Sequence, residues 1–155
     1  MLDVNAKQVG GTHYARGGAM QHWDYAVRAL DNRYLESALT KYVMRHRHKG
    51  SPVQDLQKAR HYLEKLSVEH AQGRIKPLCM PGDLSFKVYD LCVVNELNID
   101  ESIVVKLTAS WGGNAEPVED LLAIDAAIVR LLVVAQRAAG ISDAIKAGAP
   151  SRAQP

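Results

Sequence analysis

Residues 34–66, YLESALTKYVMRHRHKGSPVQDLQKARHYLEKL, decide the fold of this chain. They read as a basic helix, a tight turn and a second helix. In the first helix, predicted over residues 33–47, Leu35, Ala38, Leu39, Tyr42, Val43 and His46 recur at i, i+3, i+4 spacing and form a core stripe. The run Lys49-Gly50-Ser51-Pro52 ends it. Glycine suits the left-handed position after a helix, proline suits the first position of the next, and a serine hydroxyl can accept a bond from that helix's free N–H groups. The second helix is predicted over residues 53–69, with Leu56, Ala59, Tyr62, Leu63 and Leu66 as its buried stripe.

Lys41, Arg45 and Lys49 stand four apart and line a face beside the first stripe. Such cations repel one another unless an anion lies among them, and phosphate satisfies this best because arginine can hold it with two parallel bonds. Tyr42 lies within the same run, as do Arg47, His46 and His48. The competing reading is a solvated basic helix face. His46 falls on the Tyr42 side and reads as a satisfied core or interface histidine. The H-x-H pair diverges on a helix, which argues against a zinc site. Asp55 falls in the first turn of the second helix, where a carboxylate opposes the helix dipole. It can also pair with Arg45 across the turn, or hold a divalent cation that bridges phosphates. His61 is a weaker candidate for proton transfer.

Outward from the hairpin, residues 1–19 look irregular, with Gly10-Gly11 and Gly17-Gly18 bracketing His13 and Tyr14. A glycine-rich lead can offer backbone N–H groups to phosphate oxygens, but no Walker loop occurs in the chain. A flexible arm is the alternative. A short helix is predicted over residues 23–30. After the hairpin, GRIKPLCMPG reads as a linker, and three helical patterns follow over residues 84–97, 100–111 and 116–139. The longest is apolar nearly all round, so it is buried centrally or forms an oligomer interface. Glu116, Glu119 and Asp120 invite comparison with the acidic sites of all-α nucleotide pyrophosphohydrolases. The paired second motif is missing, so helix capping is the better reading. The expected architecture is all-α: a domain over residues 1–72, a linker over 73–83, a helical region over 84–147 that builds a homo-oligomer, and a disordered tail over 148–155.

Composition sets the outer limits. The chain has 155 residues, 47% hydrophobic and 23% charged, an ordinary globular balance. The net charge of +2 hides an asymmetry. Residues 1–76 carry 13 Lys and Arg against 7 Asp and Glu, whereas residues 77–155 carry 6 against 10. The first half is therefore the candidate for an anionic ligand. Cys79 and Cys92 fit neither a disulfide framework nor a zinc site and read as free thiols. The N-terminus has no signal-peptide pattern, and the apolar run over residues 121–135 is too short to span a bilayer. A cytoplasmic protein without a membrane partner is expected.

VGGTHY at residues 9–14, Gln21-His22-Trp23, LTKYVMRHRHKG at 39–50 and QDLQKARHYLEKL at 54–66 together resemble a small, largely uncharacterised domain family of tailed phages and prophages. The resemblance covers residues 8–68. Members are often labelled nucleotide kinase, because one phage relative phosphorylates deoxynucleoside monophosphates without a Walker loop. The resemblance thus implies a nucleotide-phosphate-binding protein, with a deoxynucleoside monophosphate kinase as its enzymatic form. Matching positions that packing does not explain are His13, Tyr14, Lys41, Arg45, Lys49 and Asp55. In the kinase reading Lys41, Arg45 and Asp55 are catalytic, and Asp55 helps to hold Mg²⁺ with a nucleoside triphosphate. His13, Tyr14, Tyr42 and Lys49 bind the nucleotide. The alternative is a non-catalytic module that binds nucleic acid or sequesters nucleotides.

Overall fold

The structure, a computed structural model, describes residues 22, 26, 30, 33–79, 82–113 and 116–148. The described residues are all-α, with no strand among them. Among the described residues five helices follow one another from Tyr34 onward: α1 (Tyr34–Arg45), α2 (Pro52–Ala71), α3 (Gly82–Val94), α4 (Ile99–Ser110) and α5 (Pro117–Gly148). The helix expected over residues 23–30 and the tail from residue 149 lie outside the described residues, apart from Ala26 and Leu30.

The α1–α2 hairpin forms as its periodicity predicts. Leu39, Val43, Leu56, Ala59, Leu63 and Leu66 are all buried between the two helices and their neighbours. Tyr42 and Tyr62 stay half-buried at the edge of that seam. The turn differs from expectation in two respects. Helix α1 stops at Arg45 rather than residue 47, and residues 46–48 form a turn. Gly50 then takes the left-handed conformation, φ 73°. Ser51 occupies the N-cap of α2 and Pro52 its first position, but the serine side chain makes no capping bond.

Helices α4 and α5 complete the core that the hairpin begins. Val104, Trp111, Leu121, Ile124, Ala127, Ile128 and Leu131 join Leu39, Leu56 and Leu66 in one continuous apolar cluster. Ile75 and Leu78, from the segment read as a linker, pack against it. Gly112 is in close contact with that segment: its N–H donates to the Leu78 carbonyl at 2.8 Å, and a Cβ there would sit 2.3 Å from Pro77. A smaller cluster joins α3 to α4 through Leu30, Val88, Leu91, Cys92, Val105 and Ala109. The apolar pattern of α3 is divided by this packing. Phe86, Tyr89, Val93 and Val94 face outward. Helix α4 starts with a reciprocal cap, in which Asn98 Oδ1 accepts from the Glu101 N–H and the Glu101 carboxylate accepts from the Asn98 N–H. Among the described residues, no helix is long and apolar enough to cross a membrane. Both cysteines are free, Cys79 exposed and Cys92 buried.

Candidate functional site

The candidate site lies where the end of α1 meets the first turns of α2. Arg45, in the last turn of α1, and Asp55, in the first turn of α2, form a two-pronged ion pair. Arg45 Nε donates to Asp55 Oδ2 at 3.0 Å and the terminal guanidinium nitrogen donates to Oδ1 at 2.9 Å. Each charge also opposes the dipole of its own helix. The Asp55 side chain is almost wholly buried and that of Arg45 only 17% exposed, so the pair locks the hairpin in a fixed geometry. Of the three roles open to Asp55, pairing across the turn is the one present. With both carboxylate oxygens on the guanidinium, a cation at Asp55 would have to share them with Arg45.

Tyr42 is the hub of what surrounds this pair. The Arg45 guanidinium carbon lies 4.4 Å from its ring centre, Lys41 Nζ 5.2 Å and Lys58 Nζ 5.5 Å. Three cations therefore converge on one ring, each within cation–π range. The Tyr62 ring stacks beside it, with centres 5.7 Å apart and planes 17° from parallel. Tyr62 in turn meets Tyr34 edge-on, and their hydroxyls are 3.2 Å apart. That hydrogen bond, with some burial, raises the Tyr62 hydroxyl above the ordinary tyrosine pKa.

Lys58, Tyr62 and Tyr34 were not among the expected site residues, and Tyr62 was read as part of the buried stripe of α2. The signal for two of them was available, since Asp55, Lys58 and Tyr62 stand at i, i+3, i+7 on one face of α2. Lys49 is placed differently from its expected position. Because α1 ends at Arg45, Lys49 is not a third step on the Lys41–Arg45 face. It is exposed on the turn. His13 and Tyr14 lie outside the described residues. His22 is the one described residue of the N-terminal motifs, and it reaches the site's flank. Its Nε2 is 3.1 Å from Thr40 Oγ1, next to Lys41. Burial, helped by the Lys41 charge, lowers the His22 pKa to about 4, so the ring is neutral at pH 7.

Two further residues of the basic run, Arg47 and His46, turn toward Glu101 of α4. Arg47 Nε lies 2.9 Å from Glu101 Oε1, and its terminal nitrogen donates to Glu101 Oε2 at 2.9 Å and to the Glu96 carbonyl at 2.7 Å. His46 is buried, as its place in the stripe implied, with Nδ1 2.7 Å from the Val43 carbonyl and 3.4 Å from Glu101. These contacts explain the early stop of α1: the turn is bent toward α4 by a buried carboxylate far away in sequence. His61 is exposed on α2 beside Glu64. Among the described residues, no group of three or more His, Cys, Asp and Glu is arranged to hold a metal ion.

Residues 10–64 match the model of a protein family described as a protein of unknown function, DUF3310. The match takes in the second and third of the motifs quoted above and most of the first and fourth, and it ends inside α2. No curated protein and no solved structure matches the chain.

Proposed function

We propose that the α1–α2 hairpin binds the phosphate of a nucleotide, with Lys41 and Lys58 as the contacting cations and the Arg45–Asp55 pair fixing the frame between them. The observation that carries this reading is the convergence of Lys41, Arg45 and Lys58 on the Tyr42 ring. Like charges brought this close raise one another's energy, and an anion among them relieves the repulsion. Both ammonium groups lie against the ring, which does not neutralise them. Tyr42 is already engaged by Tyr62 and by these cations, so its role is to hold the cations, and stacking on a base is secondary.

The enzymatic form of this reading is a deoxynucleoside monophosphate kinase of a phage or prophage. In it Lys41 would meet the charge that develops on the transferred phosphoryl group, as preorganised cations do in phosphoryl transfer. Mg²⁺ would arrive with the nucleoside triphosphate, bound chiefly by the phosphates, and His13, Tyr14 and Lys49 would close over the ligand. Titration calorimetry with deoxynucleoside monophosphates, triphosphates and inorganic pyrophosphate tests binding. A labelled triphosphate with monophosphate acceptors tests transfer. Binding that weakens about tenfold or more in both Lys41→Ala and Lys58→Ala, as for loss of a charged contact of about 1.4 kcal/mol or more, supports the proposal. No heat with any phosphate compound would remove it, and binding without turnover would leave a sequestering module.

One observation favours nucleic acid as a second reading. Gln54, Gln57 and His61 are all exposed along α2, next to the cationic cluster. Polar side chains beside cations suit a helix laid on a phosphate backbone. Duplex binding that falls steeply with added salt would favour it over mononucleotide binding.

A further inference from the structure

The anion site leaves one large feature unexplained, the outer face of α5. Leu122, Ala126, Val129 and Val133 are exposed there, while Leu121, Ile124, Ile128, Leu131 and Ala135 fill the core from the opposite face. These four are spaced by four, three and four residues, the repeat of a seam between two packed helices, and exposed Ala123 and Val134 lie beside them. At one end the apolar surface runs on. Leu122 and Val118 also wall a cavity of about 580 Å³ against Leu63, Val68 and Ala71 of α2.

The charge along α5 is polarised. Glu119 and Asp120 stand in its first turn, and Arg137 stands just past the far end of the stripe. Glu119 and Arg137 are about five full helical turns apart, so they project at the same angle and edge the same side of the stripe. The nearer charges are already matched within the chain, Asp125 by Arg60 and Arg130 by Asp100. A helix laid against this stripe in the parallel sense would put the Glu119–Arg137 edges of the two copies on opposite sides of the seam, so neither charge would meet its opposite. Laid antiparallel, the same helix sets each Glu119 opposite an Arg137.

We propose that α5 of a second copy of this chain covers the stripe, antiparallel, about a two-fold axis between Ala126 and Val129. Leu122 of each chain then meets Val133 of the other, and Glu119 of each faces Arg137 of the other. The surface is complementary to itself in both shape repeat and charge, which singles out a second copy over an unrelated partner. The seam spans only about three turns, so the contact is at the small end of specific interfaces and the dissociation constant is roughly micromolar.

Sedimentation velocity on the full chain should show a dimer that dissociates as protein is diluted and as salt is raised. Leu122→Glu should be monomeric with an unchanged far-ultraviolet circular dichroism spectrum. Glu119→Arg should weaken the dimer, and adding Arg137→Glu should restore it. Orientation is read by oxidation in a Cys79→Ser background. A mixture of Leu122→Cys and Val133→Cys chains should cross-link, and neither variant alone should do so. A monomer at about 100 µM, the top of the range a micromolar contact requires, would overturn the proposal. Self-cross-linking of each cysteine variant would overturn the antiparallel arrangement. The outcome is independent of phosphate binding, which Lys41→Ala probes in the same preparations.

Discussion

Arg45 and Asp55 show what a single residue does here. Sequence placed Asp55 in the first turn of a helix and left three roles open, because the choice depends on where the turn brings Arg45. The structure brings the guanidinium onto both carboxylate oxygens. Removing one partner leaves the other charge buried and unpaired, so Asp55→Ala should destabilise the fold by about 3 kcal/mol. The double change Arg45→Met with Asp55→Leu should recover most of that loss, since neither charge then remains. Urea denaturation of the three variants checks both statements. His22 carries a pH prediction. Its folded pKa of about 4 lies below the ordinary value of 6.5. At pH 7 both folded and unfolded chains hold it neutral. As pH falls below 6.5 the unfolded chain takes up a proton that the folded chain refuses, so stability declines until about pH 4. The full loss is of order 3 kcal/mol, from the size of the shift. A His22→Asn variant should lose this part of the slope, and the imidazole's NMR titration in the native protein should have its midpoint near 4.

Between elements, the turns carry the information that periodicity does not. The two helices of the hairpin were legible because apolar residues at 3.6-residue spacing need one partner face, and each supplied the other's. The end of α1 was not legible, because His46 and Arg47 bend toward Glu101, a partner more than fifty positions away in the chain. Nor was the split face of α3, where Val88, Leu91 and Cys92 are buried while the aromatic Phe86 and Tyr89 are left outside. Lys58 could have been paired with Asp55 from helical spacing alone. That it also reaches Tyr42 depends on how the two helices cross. Two glycines separate backbone cost from packing cost. Gly50 has φ 73° and open space around it, so Gly50→Ala should cost about 1 kcal/mol through backbone strain alone. Gly112→Ala places a methyl against Pro77, where the backbone itself must shift, and should cost distinctly more, about 2–3 kcal/mol. Thermal melts of the two variants side by side give the comparison, and equal losses would show that the segment before α3 is not held tightly by α4.

Over the whole molecule, the charge asymmetry between the halves is partly answered from within. Arg47 and Arg60, from the basic half, are paired with Glu101 and Asp125 from the acidic half. Of the excess that suggested an anionic ligand, Lys41 and Lys58 remain gathered at the Tyr42 ring. The same cross-half relation holds for the core. More than half of the main apolar cluster comes from Val104 onward, and it covers Leu39, Leu56, Leu63 and Leu66 from the far side. A fragment of residues 1–72 would keep the hairpin's sequence and lose that cover. Leaving four leucines partly in water costs on the order of 5–10 kcal/mol, as much as the stability of a typical domain. The fragment should therefore retain some helical circular dichroism but show no cooperative melt and poorly dispersed amide NMR signals, whereas the full chain melts in one transition. If the fragment instead melts sharply and binds phosphate as the full chain does, the hairpin folds on its own and α4 and α5 serve only the dimer.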